Sequence, residues 1–393
     1  MTHSLTQNAI PAHNKRGLNG NFNARQLCFF SAFVAPISKL VETPSLLAEY
    51  ALGDLLLPAL TQYLLQSTAL ALLLLVVKRT GRSFFSLIQD KLGDIGARIF
   101  YGVLSAYFLF SVLLPLLELE KFSQVLFYDT APYAFTFTPF FFLSGFICVK
   151  GLKSFARFCD LCCPIFLISF CGIILMSLGE TDFESILPWF EFPPSRIFNA
   201  VKYTTSHFSD AVLFLPLLGD YQYEKGDGKK IYLSYLLGAG FVLLFLACFY
   251  SIFTTIAPTQ DYAFAKIAQY FPALQTLGRI DLLFVYLLSV VLFCYTVLPV
   301  RLCALCLEKA TDCKNKLLLS VLLNGLLFAF ILFLDRRQND VFELVTKTLW
   351  WVFPIFSLLL PVLCLFFLIG NKKTRKTKGC TPNDRKKECS YAR

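Results

Sequence analysis

Charge is scarce in this sequence. Only 16% of its 393 residues are Asp, Glu, Lys or Arg, 56% are hydrophobic and the mean hydropathy is +0.62, whereas a soluble globular domain carries about 25% charged residues. Histidine is scarcer still: His3, His13 and His207 are the only three, and two of them fall in the polar first 24 residues. Walker A, Rossmann glycine, Gly-x-Ser-x-Gly and His-x-x-Glu-His patterns are missing. These absences argue against an enzyme, and no catalytic residue, metal ligand or cofactor is nominated. Residues 1–24 also lack the short apolar core and small-residue cleavage site of a secretory signal. They are expected to form a polar cytoplasmic leader, with the first span acting as its own insertion signal.

Long apolar runs are what the sequence has. A span needs roughly 20 mostly apolar residues, and the candidates are 26–47, 55–77, 99–119, 132–150, 161–179, 198–219, 231–256, 280–300, 317–334 and 348–369. The expected architecture is an all-α polytopic membrane protein of about ten transmembrane helices. Its membrane domain covers 25–370 and a basic tail covers 371–393. Lysine and arginine are retained on the cytoplasmic side of membranes. Here they cluster before the first span, around Lys78–Arg82, Lys150–Arg157 and Lys225–Lys230, from Arg301 to Lys316, and in the tail. Both termini are therefore placed inside. The net charge of +10 follows from this topology and does not indicate nucleic acid. The tail is expected to be solvated and close to anionic headgroups of the bilayer.

Of the 14 cysteines, most sit in spans as small apolar residues. The pairs Cys159-x-x-Cys162, with Cys163 adjoining, and Cys303-x-x-Cys306 have spacing suited to zinc. Their flanks lack the turns of a zinc knuckle, so packing is the better reading. Trp189, Trp350 and Trp351 are expected to anchor the outer interface. Asp261–Pro272 reads as an amphipathic helix lying outside before the eighth span, either on the surface or over a vestibule.

The acidic link from Glu180 to Arg196 divides the spans into two groups of five, repeats of about 25–180 and 197–370. An odd number per group inverts the second, which gives the 5+5 inverted repeat of LeuT-like transporters with broken helices one and six. Pro44 and Pro216, and Pro115 and Pro299, fall at corresponding places in the two halves. Span one carries Pro36, Lys39, Glu42 and Pro44 inside an apolar run, and such a segment is expected to line a polar cavity. Span six carries Ser206, His207 and Asp210. The candidate substrate-binding residues are Ser38, Lys39, Glu42, Thr43, Ser206, His207 and Asp210. Plainer roles compete: an intrahelical Lys39–Glu42 pair, a helix cap at Asp210, and His207 at the outer interface.

Several segments resemble the endospore germination permease family, the membrane B-subunits of germinant receptors within the amino acid, polyamine and organocation transporter superfamily. Lys39-Leu40, Pro44, Ala48 and Leu52-Gly53-Asp54 are similar to its first-span pattern. Gly151-Leu152, Ala156-Arg157 and Pro164, the outer Asp182-Phe-Glu-Ser-Ile-Leu-Pro188, and Phe208-Ser-Asp210 through Pro216 are similar to later landmarks. The resemblance implies a transporter-like cavity for a small germinant such as an amino acid. It also implies an A-type membrane subunit and a C-type lipoprotein as partners, in the spore inner membrane or cell membrane. Span one lacks the glycine-x-glycine break of the wider superfamily, so Lys39 is expected to supply positive charge. Two other readings stay open: an autonomous proton-coupled amino acid symporter using Glu42 or Asp210, and a scaffold that binds no ligand.

Overall fold

The computed structural model describes residues 23–80, 83–127, 133–179, 181–186, 190–219, 221, 223–270, 281–313, 315–334 and 337–369. Most of the leader, the basic tail, Trp189 and the segment from Phe271 to Pro272 lie outside the described residues. Regular structure among those described is entirely helical.

Span one is two helices. The segment α1 (Ala24–Leu40) and the segment α2 (Thr43–Asp54) meet at a 60° bend. The cause is local. Pro36 has no N–H to give the carbonyl four residues back, and α1 loosens into a π turn over Phe30–Val34 before tightening into a 3-10 turn over Pro36–Leu40. Val41 then leaves helical geometry at φ −99°, ψ −94°, and Pro44 restarts the chain in the first turn of α2, where its missing donor costs nothing.

The next helices are α3 (Leu56–Thr80), α4 (Phe84–Ser111), α5 (Leu113–Phe127), α6 (Tyr133–Lys150) and α7 (Leu152–Leu178). Within α4, Gly93 at φ +71° sets a kink that separates a short entry helix from the rising span. The second half begins with α8 (Pro194–Thr204) and α9 (Ala211–Leu217), followed by α10 (Asp227–Phe253), α11 (Ala263–Tyr270), α12 (Asp281–Thr311) and α13 (Lys316–Leu334). It ends with α14 (Gln338–Thr348) and α15 (Val352–Phe366), bent by 56°. Among the described residues six helices are long and apolar enough to cross a membrane by themselves, and the two bent pairs qualify as single spans. The remaining two predicted spans correspond to α6 and to α8 with α9. Exposed apolar side chains such as Ile95, Phe142 and Phe333 line the outside, as lipid as solvent requires.

Packing falls into two layers. α10 lies against α1 and α3, and α15 lies against α3; α12 runs along α4 and also meets α6 and α7, while α13 packs on α6. Close approach in the first layer depends on Gly238, where a Cβ would fall 2.5 Å from the Ala32 carbonyl oxygen and 2.8 Å from the Pro36 ring. Pro36 leaves that carbonyl without its usual helical donor, and a glycine lets α10 cover it.

Two expectations change. The third span is longer than 99–119, since α4 and α5 continue one another. The tenth starts ahead of residue 348 and is itself broken, with Trp350 and Trp351 at the break. The helix α11 has the amphipathic burial read from its pattern: Ala263, Phe264, Ile267 and Ala268 are fully buried and Phe264 packs against Phe166, Phe170 and Phe245, while Lys266 and Tyr270 are exposed.

Replacing Gly238 by Val forces α10 off α1 by overpacking, and such insertions cost about 1–3 kcal/mol. A lowered thermal midpoint of the detergent-purified protein is the expected result, with Gly240→Val, which meets open space, as the silent control.

Candidate functional site

The second break lies in span six. α8 stops at Thr204 and α9 starts at Ala211, with no glycine or proline between. Hydroxyls do the breaking: Thr204 Oγ1 donates to the Ala200 carbonyl at 2.7 Å, Thr205 Oγ1 to Val201 at 2.5 Å and Ser209 Oγ to Ser206 at 3.1 Å. Side chains of this kind compete with the backbone ladder. The backbone itself tightens into short turns, His207 N–H to Thr204 and Phe208 N–H to Thr205.

The two breaks meet through an ion pair. Lys39 Nζ donates to Asp210 Oδ1 at 2.5 Å and to the Ala35 carbonyl at 2.7 Å, and the two side chains are 0% and 1% exposed. Tyr235 of α10 donates its hydroxyl to Asp210 Oδ2 at 3.1 Å. The rings of Phe208 and Tyr295 lie 5.6 and 5.9 Å from the ammonium, within reach of a cation–π attraction. Lys39 and Glu42 do not pair, because the non-helical Val41 between them destroys the i, i+3 register. Asp210 does not cap α9 with its side chain. That role falls to Gln66 of α3, whose Oε1 accepts the Ala211 N–H at 3.1 Å while its Nε2 donates to Ser357 Oγ of the tenth span at 3.1 Å.

Beside this junction is a narrow cavity of about 20 Å³, room for about one water, lined by Ser38, Tyr107, Glu118, Ser206, His207, Ser209, Tyr295 and apolar neighbours that include Pro115 and Pro299. His207 is buried, not interfacial. Its Nδ1 lies 3.1 Å from Glu118 Oε1, with both side chains 1% exposed. Ser206 Oγ and His207 Nε2 are buried without a hydrogen-bond partner. Ser38 Oγ faces Tyr295, and the Tyr107 hydroxyl faces Ser209, neither in a well-aligned bond. Buried polar atoms left open are uncommon and costly, so this cavity is built for a polar occupant.

Of the candidates from sequence, Ser38, Ser206 and His207 line the cavity. Lys39 and Asp210 join the helices behind it. Glu42 and Thr43 sit at the start of α2, Glu42 within electrostatic reach of Glu118 and Asp261. Glu118, Tyr107, Tyr295, Tyr235 and Gln66 escaped the sequence reading. Glu118 carried the same signal as Lys39, a charge inside an apolar run, but stood at the predicted end of its span.

The profile of a family described as spore germination protein matches residues 56–341. The chain belongs to the spore permease family. The match begins after span one, so the Lys39-Leu40 and Pro44 pattern lies outside it. No curated protein sequence matches the chain. Among solved structures, MhsT in complex with L-phenylalanine is similar over 90% of this chain and 89% of its own, at 11% identity and a TM-score of 0.60. A mutant of the Eremococcus coleocola manganese transporter is similar over 88% and 81%, at 11% identity and a TM-score of 0.53. The fold is thus that of the LeuT-like transporters, and this spore permease is a transporter-like membrane protein.

Other elements hold the site of this spore permease closed. The Ala263 N–H of α11 donates to the open Val41 carbonyl at 3.0 Å. Asp54, buried at the end of the first span, accepts the N–H groups of Phe190 and Phe192 at 2.7 and 3.1 Å and so ties down the link between spans five and six. At the opposite end of span one Asp160 binds Arg25 at 3.1 Å and Gln26 at 3.2 Å. The cysteine pairs form no metal cluster among the described residues. Cys303 contacts Ser105 at 3.3 Å, Cys162 faces Cys294, and nothing is described of the Cys163 side chain.

Removing one partner of a buried ion pair costs about 3–5 kcal/mol. Lys39→Met alone is expected to lower the thermal midpoint strongly, and the Lys39→Met/Asp210→Asn double variant to recover much of the loss. Additive losses in this double-mutant cycle would dissolve the pair as a unit.

Proposed function

We propose that this chain is the membrane subunit of a spore germinant receptor, and that a small amino-acid germinant, widening the cavity beside the two helix breaks as it enters, triggers germination. The observation that carries the reading is the set of open polar atoms lining that cavity. Lys39 and Asp210 already neutralise one another, so the first contacts for a zwitterion are the groups left unsatisfied. Glu118 receives the ammonium, with Glu42 nearby as a second carboxylate. Ser38, Ser206 and His207 meet the carboxylate, and Thr43 closes the outer side. The family supports germination as the process, and one fold neighbour is a complex with L-phenylalanine.

A ligand shifts a two-state equilibrium only by its difference in affinity for the two states. Both breaks border the cavity, so an occupant that pulls on Ser38, next to Lys39, or on His207, three residues before Asp210, acts on the Lys39–Asp210 junction. Tyr107, stacked on Phe356 at 4.3 Å between ring centroids, carries the same displacement to the tenth span. In this reading both termini are cytoplasmic, the chain lies in the spore inner membrane, and an A-type subunit and a C-type lipoprotein receive the output.

A proton-coupled amino acid symporter is the second reading, favoured by the transporter fold and by the buried contact of Glu118 with His207 at 3.1 Å. Solute accumulation in sealed vesicles under a pH gradient is its distinguishing result.

The test is a thermal-shift panel of amino acids, nucleosides and sugars on the purified chain. A ligand at 100 times its dissociation constant stabilises by about 2.7 kcal/mol. One class of amino acids is expected to raise the midpoint in the wild type and not in Glu118→Gln. A shift that persists undiminished in Glu118→Gln removes Glu118 from the site.

A further inference from the structure

At the junction of α1 and α9 a cationic group is already in residence. In transporters with interrupted helices, unwound carbonyls and half-helix ends form an oxygen-lined hole that coordinates a free monovalent cation. Here the hole consists of the Ala35 carbonyl oxygen and Asp210 Oδ1, 2.7 and 2.5 Å from Lys39 Nζ, and it is walled by the rings of Phe208 and Tyr295. The other Asp210 oxygen is taken by Tyr235. The hole is sealed, Lys39 being 0% and Asp210 1% exposed. Nothing in it is left for a second cation to bind.

We infer that Lys39 is a tethered counter-cation, an ammonium on its own stem standing where a free sodium or potassium ion would otherwise bridge the two broken helices. The chemistry suits the role. An ammonium is a compact point charge with three donors, and here two of them point at oxygens from different spans while the aromatic faces take the remaining field. Because the cation is covalently attached, its occupancy is independent of the ionic composition on either side of the membrane. The two breaks are held together without sodium or potassium. Removing the stem leaves a buried carboxylate facing a carbonyl across a hole of cation size, which is a binding site for a small monovalent cation or a primary alkylammonium. This inference stands whether or not the neighbouring cavity binds a germinant.

The experiment compares thermal midpoints of the purified full chain in sodium, potassium and choline chloride at equal ionic strength. The wild type is expected to be indifferent to the choice of cation, and a rise selective for sodium or potassium overturns the inference. Lys39→Ala is expected to melt lower in choline chloride and to regain most of the loss in sodium chloride or propylammonium chloride. Propanol is expected to give no recovery, and the Lys39→Ala/Asp210→Asn variant is expected to lose the cation effect. If Lys39→Ala does not survive purification in choline, it is prepared throughout in propylammonium. Recovery that depends on the cation supports the assignment, and a Lys39→Ala protein indifferent to every cation, or unrecoverable in all of them, overturns it.

Discussion

A buried carboxylate that stays ionised has to find positive charge, and the pair that meets this demand organises the centre of the membrane domain. Asp210 sits where span six has lost its helix, Lys39 where span one has lost its own, and each is too deep to reach solvent. The attraction between them is strong because the surroundings are dry, and the cost of desolvating both is offset by further bonds from Ala35 and Tyr235. Two distant parts of the chain, 171 residues apart, are thereby fixed at one point. The positions of His207, Ser206 and Ser38 follow from it, since each is within a few residues of one member of the pair.

Interrupting a helix inside a membrane exposes backbone groups that lipid cannot satisfy. The structure answers each exposure from a different element. The Val41 carbonyl takes the Ala263 N–H of the outer helix, the Ala211 N–H goes to Gln66, and the Ala32 carbonyl is covered by α10 at Gly238. At the far end of α9 the Leu218 and Gly219 carbonyls accept the N–H groups of Phe84 and Phe85. Every one of these bonds also reports the position of the element that supplies it. The two breaks are therefore bonded to α11, to α3 and to the entry helix of the third span.

Span ten joins the same network. Its own bend places Ser357 on Gln66 and Phe356 on Tyr107, so it touches one side of the break in span six and one wall of the cavity. At its start, Gln338 donates to Glu120 at 2.9 Å, two residues from Glu118. The carboxylates of the third span thus contact both the cavity and the last span.

The sequence alone determined the number and placement of most spans, because hydropathy is a local property summed over a window. It also determined that span one is broken, because Pro36 and Pro44 act on their own neighbours. That Lys39 and Asp210 belong to polar surroundings was legible as an expectation, since neither charge belongs in lipid. Tertiary structure decided the rest. It decided that Lys39 meets Asp210 and not Glu42, because a non-helical Val41 turns the register, a backbone angle that no residue type announces. It decided that Glu118 faces the cavity, because the third span runs well past its apolar window. It chose what covers the apolar face of α11, Phe166, Phe170 and Phe245 among others, because an amphipathic pattern states that one face must be covered and is silent on what covers it. It gave the open polar atoms of Ser206 and His207 their meaning, since whether a buried group is satisfied depends on neighbours contributed by other helices, and those neighbours are fixed only when the whole bundle has packed.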